Sequence, residues 1–211
     1  MAPSGSWRPP ERRVTKNAVR LELNVFVEGH RTEKQYLVFW WRNNRQRVNV
    51  RVDPAPGVPL ELVKRAAKAK TESDREAKRR QGRAYDQTWC VFDRDDHPHF
   101  DEACALARRN GIHLALSNPC IELWLVLHFE DQTAHVDRQT IQRRARALTN
   151  CDKNLSPEAL RELESRHESA TKRAKHLDKK HEGDGRPPSS NPSSGVWSLV
   201  EQMTSGRPKG E

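Results

Sequence analysis

The sequence predicts an α/β fold, with a central, mostly parallel sheet of about four strands flanked by helices and a C-terminal helical extension. Two observations carry that prediction. Short apolar runs rich in Val, Leu and aromatic residues alternate with longer helical stretches as far as Phe129, the pattern of βαβ units whose crossovers make neighbouring strands parallel. After Asp131 the apolar runs stop and charged, helix-favouring sequence takes over.

Leu21 to Val27 alternates and then turns fully apolar, so it reads as the first strand. It ends in Glu28-Gly29, where glycine permits a tight exit turn. Thr32 and Gln35 have the spacing of a capping box, and Tyr36 to Trp41 follow as a largely buried helix with Trp40 in the core. Arg47 to Val52 alternates as a second strand, stopped by Pro54, Pro56, Gly57 and Pro59. Leu60 to Arg80 is a long helix with Leu62, Val63 and Ala66 on its apolar side, and its many lysines and arginines read as a solvated face. Trp89 to Phe92 is a third strand that stops abruptly at Asp93. Asp101 to Asn110 reads as a helix closed by Gly111, and Ile112 to Leu116 as the fourth strand. Ser117 and Pro119 then look like the N-cap and first-turn proline of a buried helix, Ile121 to Phe129, with Glu122 near its start.

These elements divide the chain into a basic tail without order (residues 1–20), the α/β domain (21–135), a charged helical extension (136–182), a flexible Gly/Pro/Ser linker (183–195) and a terminal helix with its tail (196–211). Arg138 to Leu148 reads as a basic helix and Ser156 to Glu182 as one further charged helix. The terminal helix carries Val196, Leu199 and Val200 and is expected to dock back on the core.

A net charge of +9 favours a polyanionic partner. Cys90, Cys104, Cys120 and Cys151 have no C-x-x-C spacing, so they read as free thiols of a reducing compartment rather than as a zinc site or a disulfide framework. The first sixteen residues lack the apolar core of a secretory signal. The longest apolar stretch, Ile121 to Phe129, contains Glu122 and His128 and is too short to span a bilayer. No membrane association and a cytoplasmic location are therefore expected.

In an open parallel sheet, functional groups collect at the carboxyl ends of the strands. Glu28 and the Asp93-Arg94-Asp95-Asp96 cluster both fall there. Asp93 and Asp95, two apart in an extended segment, can project to the same side, and carboxylates held that close need a proton or a cation between them. A hard divalent ion with oxygen ligands, Mg²⁺ first, suits such a pair. The competing reading is an acidic turn that stays in water and caps the next helix.

Four motifs in order resemble the RloB family, also described as AbiL-type abortive phage-resistance proteins: Val27-Glu28-Gly29-x-x-Thr32-Glu33-x-x-Tyr36, Val91-Phe92-Asp93-Arg94-Asp95, Ser117-Asn118-Pro119-Cys120-Ile121-Glu122 through Phe129, and Asn191-Pro192-Ser193-Ser194. The resemblance implies a Toprim-like core in a phage-defence protein, often encoded beside an ATPase that is a candidate partner. It makes Glu28 the candidate general base or acid and Asp93 and Asp95 the metal pair, with all three counted as catalytic and as metal ligands, loaded with Mg²⁺ or Mn²⁺. Glu122 either completes the metal shell or simply sits favourably at a helix N-terminus. The implied activity is a metal-dependent nuclease cutting RNA (tRNA is one candidate) or DNA, with Arg143, Arg144 and Arg146 steering the phosphate backbone. The alternative is a non-catalytic adaptor that binds nucleic acid or the ATPase. Glu33 reads as a helix-dipole partner, His128 as a hydrogen-bonded core histidine, and His97 and His99 as solvated loop residues.

Overall fold

The sheet begins with β1 (Leu21–Val27), β2 (Val48–Val52), β3 (Gln87–Asp93) and β4 (His113–Asn118), all parallel, in the order β2-β1-β3-β4. A fifth strand, β5 (Ser193–Ser194), pairs antiparallel with the end of β4. The crossovers are α1 (Thr32–Asn44), α2 (Pro59–Lys78) and α3 (Phe100–Arg109). After β4 come α4 (Glu122–Leu127), α5 (Arg138–Thr149), α6 (Pro157–Ser165) and α7 (His167–Gly183), and α8 (Val196–Ser205) follows β5. This computed structural model describes residues 20–206 apart from His30, Asp95 and Asp96, so the expected N-terminal tail and one residue of the predicted metal pair lie outside the described residues.

Helices cover both faces of the sheet, which is why β1 and β3 are buried almost throughout. Leu23, Val25, Val27, Trp89 and Val91 enter the larger core with α1, α4, α5, α7 and α8. Phe26, Cys90 and Phe92, pointing the other way, meet Leu62, Val63 and Ala66 of α2 and Phe100 and Ala103 of α3 in a smaller core. The charged residues of α2 stay at the surface, where Lys64 pairs with Glu61 and Lys70 with Asp74 along the helix. The cysteines are free, with Cys90 and Cys120 buried.

Several local readings are overruled by tertiary contacts. Thr32 and Gln35 do not form a capping box: the Thr32 hydroxyl donates to the Lys153 carbonyl (3.1 Å), and Gln35 Oε1 accepts from the Leu155 amide (2.9 Å). Ser117 and Asn118 do not start a helix but extend β4, because Ser194 and Ser193 of β5 pair with them. Residues 183–195, read as a flexible linker, supply that strand, and Asn191 bonds both the amide and the carbonyl of Val136. The predicted single helix from Ser156 to Glu182 is two, α6 and α7, meeting at Arg166. The helical extension shares one core with the sheet, through Ile141, Leu163, Ala174 and Leu177. Ser156 caps α6, its side chain accepting from the Ala159 amide at 3.1 Å, and Gly111 takes the left-handed conformation expected after a helix (φ 60°).

Helix α8 docks with Leu199 fully buried, and Gln202 Oε1 accepts from Gln87 Nε2 at 3.1 Å. Leu199→Ala should therefore cost about 2–5 kcal/mol of unfolding free energy by chemical denaturation. A loss within experimental error would mean that α8 is not part of the cooperative core.

His128 is a core histidine, as the sequence suggested. Its Nδ1–H donates to the Trp124 carbonyl (2.8 Å), leaving Nε2 to accept from the Tyr36 hydroxyl (3.3 Å). Burial pushes its pKa down to about 3, and burial likewise pushes the nearby His167 down to about 4. Both stay neutral in the folded chain while the unfolded chain protonates near pH 6.5, so their contribution is complete above that pH and is lost on acidification toward 4. The difference in stability between wild type and His128→Gln should change by up to about 1.4 kcal/mol per pH unit between pH 6 and 4. A pH-independent difference in urea unfolding would refute the buried neutral state.

Candidate acidic active site

The strand order places a topological switch point between β1 and β3, where the chain leaves one strand toward β2 and the other toward β4. Open α/β sheets form their binding crevice at that position, beyond the carboxyl ends of the strands. Glu28 follows the last residue of β1, and Asp93 is the last residue of β3. The Glu28 amide continues the ladder by donating to the Val91 carbonyl (3.0 Å). Its side chain folds across the gap, with Oε2 accepting from the Asp93 amide at 3.0 Å and Oε1 lying 3.1 Å from His97 Nε2. The two residues expected to work together are thus in direct contact.

Two more carboxylates join them. Glu33, in the first turn of α1, lies so close to Gly29 that a Cβ there would come within 2.2 Å of both carboxylate oxygens. A side chain at position 29 would displace it, so glycine here makes room for Glu33. Glu122 opens α4, and its Oε2 is buried without a hydrogen-bond partner. Such an atom has given up water and gained nothing in return.

The electrostatics follow from this crowding. Asp93 is only 6% exposed. Burial raises its pKa well above the usual carboxylate range, the Glu33 charge adds to that, and Glu28 and Glu122 add further, with Arg138 opposing them. Burial raises Glu33 as well, helped by the charges of Glu122 and Glu28. Arg138, in the first turn of α5, brings Nη2 to 3.2 Å from Asp93 Oδ2. Burial and then the neighbouring Glu122 push the Cys120 thiol far up, so it is a packed neighbour rather than a nucleophile.

Sequence reasoning missed Glu33, Arg138 and His97 as members of this site. The signal for Glu33 is an acid on the first turn of the helix leaving β1, one turn past Glu28-Gly29. Arg138 looks like one more surface cation, and His97 is only 26% exposed in its side chain rather than solvated. Of the basic residues assigned to the nucleic-acid backbone, Arg144 is paired with Glu130 and Gln132, and Arg146 with Asp152 at 2.8 Å. Arg143 is exposed on α5, and Asp95 lies outside the described residues.

The donor set is all oxygen apart from the histidine, which suits a hard cation such as Mg²⁺ or Mn²⁺. An unsatisfied buried Glu122 oxygen beside a buried, charge-crowded Asp93 fits such an ion chemically. Among the described residues, no three His, Cys, Asp or Glu side chains are grouped so that they could hold a metal as they stand.

A family model for RloB-like proteins matches residues 23–203 of this chain, from β1 into α8. The chain belongs to the RloB-like family. The RloB-like match spans Glu28, Glu33, Asp93, Glu122 and Arg138, so the whole acidic site lies inside it. A search of curated proteins finds no match. Among the described residues, no helix of this RloB-like chain is long and apolar enough to cross a membrane.

A folded-state pKa raised above the unfolded value means that the folded chain holds the extra proton. The cost of ionising Asp93 is therefore absent at low pH and grows as pH rises through its raised pKa. Asp93→Asn should accordingly be more stable than wild type at pH 7–8 and lose that advantage near pH 4, with each kcal/mol relieved raising Tm by about 2–4 °C. A variant less stable than wild type at neutral pH would show that the Arg138 pairing outweighs the crowding.

Proposed function

We propose that this RloB-like chain is a metal-dependent nuclease, hydrolysing phosphodiester bonds of RNA or DNA through a Toprim-like site in the phage-resistance role that the family resemblance implies. The observation that carries the reading is the gathering of Glu28, Glu33, Asp93 and Glu122 at the switch point of the sheet. Like charges kept together against their own repulsion, one of them buried, mark a site maintained for chemistry rather than for stability.

Asp93 and Glu122, with Asp95 of the predicted pair, would hold a Mg²⁺ or Mn²⁺ ion. Such an ion, when bound, neutralises charge on the attacked phosphate and lowers the pKa of a water. Glu28 is the general base: one oxygen is fixed by the Asp93 amide and the other faces His97, so its orientation is set before substrate arrives. Glu33, raised by burial toward its protonated form, would be the candidate proton donor to the leaving oxygen. Arg138, paired with Asp93 here, would be the cation available to a phosphate oxygen. An ATPase encoded alongside, which the family resemblance implies, is the proposed activating partner.

The Asp93–Arg138 ion pair also favours a second reading, a non-catalytic adaptor in which this cluster is a charge-balanced scaffold. Cleavage of tRNA, single-stranded RNA and plasmid DNA with Mg²⁺ or Mn²⁺, with and without the ATPase, separates the two. Asp93→Ala should abolish cutting, and Glu28→Gln should slow it by about 10²–10⁴-fold. Undiminished cutting by Asp93→Ala would sink the nuclease assignment. Binding of nucleic acid or ATPase without metal-dependent cutting would establish the adaptor.

A further inference from the structure

The largest described cavity lies outside the acidic site. It is a groove of about 520 Å³ between α1 and α6, floored by Val38 and Phe39 from α1, Leu160 from α6, and Leu155 just before it. Its rim carries Arg31, Lys34 and Arg42 from the α1 side and Arg161 from α6. Arg161 is committed to Glu158 at 2.8 Å, whereas Arg31, Lys34 and Arg42 have no ion-pair partner among the described residues. That sets them apart from Lys64 and Lys70 of α2 and from Arg144 and Arg146, which face acids of their own surface. Two acids on the α6 side bond to groove residues, Glu158 to Arg161 and Glu164 to Asn43 Nδ2 at 2.9 Å.

Arg31, Lys34, Val38 and Arg42 recur at helical spacing, so they form one stripe along α1, about 16 Å long at 1.5 Å per residue. The stripe begins at the helical turn whose Glu33 enters the acidic site. The segment 153–155 closes this end of the groove through the Thr32 and Gln35 hydrogen bonds. On its far side is a polar cavity of about 240 Å³ lined by Glu122, Arg146, Thr149 and Lys153. Groove and acidic site are therefore neighbours across one stretch of chain.

We propose that the α1–α6 groove is the track for a single-stranded nucleic-acid segment, running along Arg31, Lys34 and Arg42 with a base against Phe39, toward the acidic site. The proposal deepens the nuclease reading and rests on it for direction, though not for binding. A line of cations along an apolar, aromatic floor suits a polymer with phosphates on one edge and flat bases on the other. A duplex keeps its bases stacked inside, so it would engage the rim and leave the floor wet. An acidic protein segment would satisfy the same cations, and the aromatic face of Phe39 among them, together with the adjoining site read as cleaving phosphodiesters, favours nucleic acid over it.

The test uses the full chain with EDTA present, so that binding is read without cleavage. Fluorescence anisotropy across a salt titration compares a labelled single-stranded RNA of about 12 nucleotides with the matching duplex. The single strand should bind more tightly. The charge-reversed Lys34→Glu/Arg42→Glu chain should lower the slope of log K against log salt by about 1.4, about 0.7 for each phosphate that is no longer neutralised. Phe39→Ala should weaken binding about tenfold. Since Phe39 also packs against the core, Phe39→Leu serves beside it as a variant that keeps the packing while removing the stacking face. Single-strand affinity and salt slope unchanged in Lys34→Glu/Arg42→Glu would overturn the proposal. So would a preference for duplex, or displacement by an acidic peptide but not by unlabelled single strand. Groove-dependent binding with no cleavage under any metal, with or without the ATPase, would leave the track standing and fell the nuclease reading. Metal-dependent cleavage with wild-type KM in the charge-reversed chain would do the opposite.

Discussion

The hydrogen bond from the Asp93 amide to the Glu28 carboxylate is the interaction on which the site depends. It joins the carboxyl ends of β1 and β3 where the backbone ladder between them runs out, so the switch-point crevice starts from a fixed edge. Because the acceptor is a carboxylate, the bond is charge-assisted and stronger than a neutral one. It also places a negative charge beside a second, buried carboxylate. The remaining arrangement, from Gly29 making room for Glu33 to Arg138 reaching over from α5, is organised around that crowding.

Arg138 explains why the helices after β4 are not an appendage. A buried carboxylate with three acidic neighbours needs a counter-charge, and the chain supplies it from the first turn of α5, 45 residues beyond Asp93. Holding α5 in place takes the larger core, in which α4, α5 and α7 pack together with the sheet. Fold stability and site electrostatics are thus coupled through one guanidinium.

Much of this was legible in the sequence, and the failures have a common cause. β1 was read to its residue limits, and Asp93 was placed correctly at the end of a buried strand, because apolar runs that stop at charge are local signals. Glu28 and Asp93 could be paired from topology alone, since parallel strands bring their carboxyl ends to one edge. What failed were side chains whose partners lie far along the chain. Thr32 and Gln35 have capping-box spacing but bond to the segment 153–155, some 120 residues away. Ser117 looks like an N-cap until β5 claims it. The place of Glu33 on the first turn after β1 suits a dipole partner and a site acid alike, and what decides between them is its position against Gly29.

The 183–195 segment bears on how the protein is made. Ser189 accepts from Arg94 Nη1 and from Asn118 Nδ2, and Asn191 bonds both backbone groups of Val136, two residues before Arg138. These bonds bring Ser189 and Asn191 against Arg94 beside Asp93 and the approach to α5. Domains begin to fold from the N-terminus while synthesis continues. On the ribosome, β1 to β4 can assemble early, yet the clasp that seats α5 waits until Asn191 has emerged. A nascent chain that stops short of Asn191 thus carries its carboxylates without a secured counter-charge, and the finished site needs the chain through Asn191.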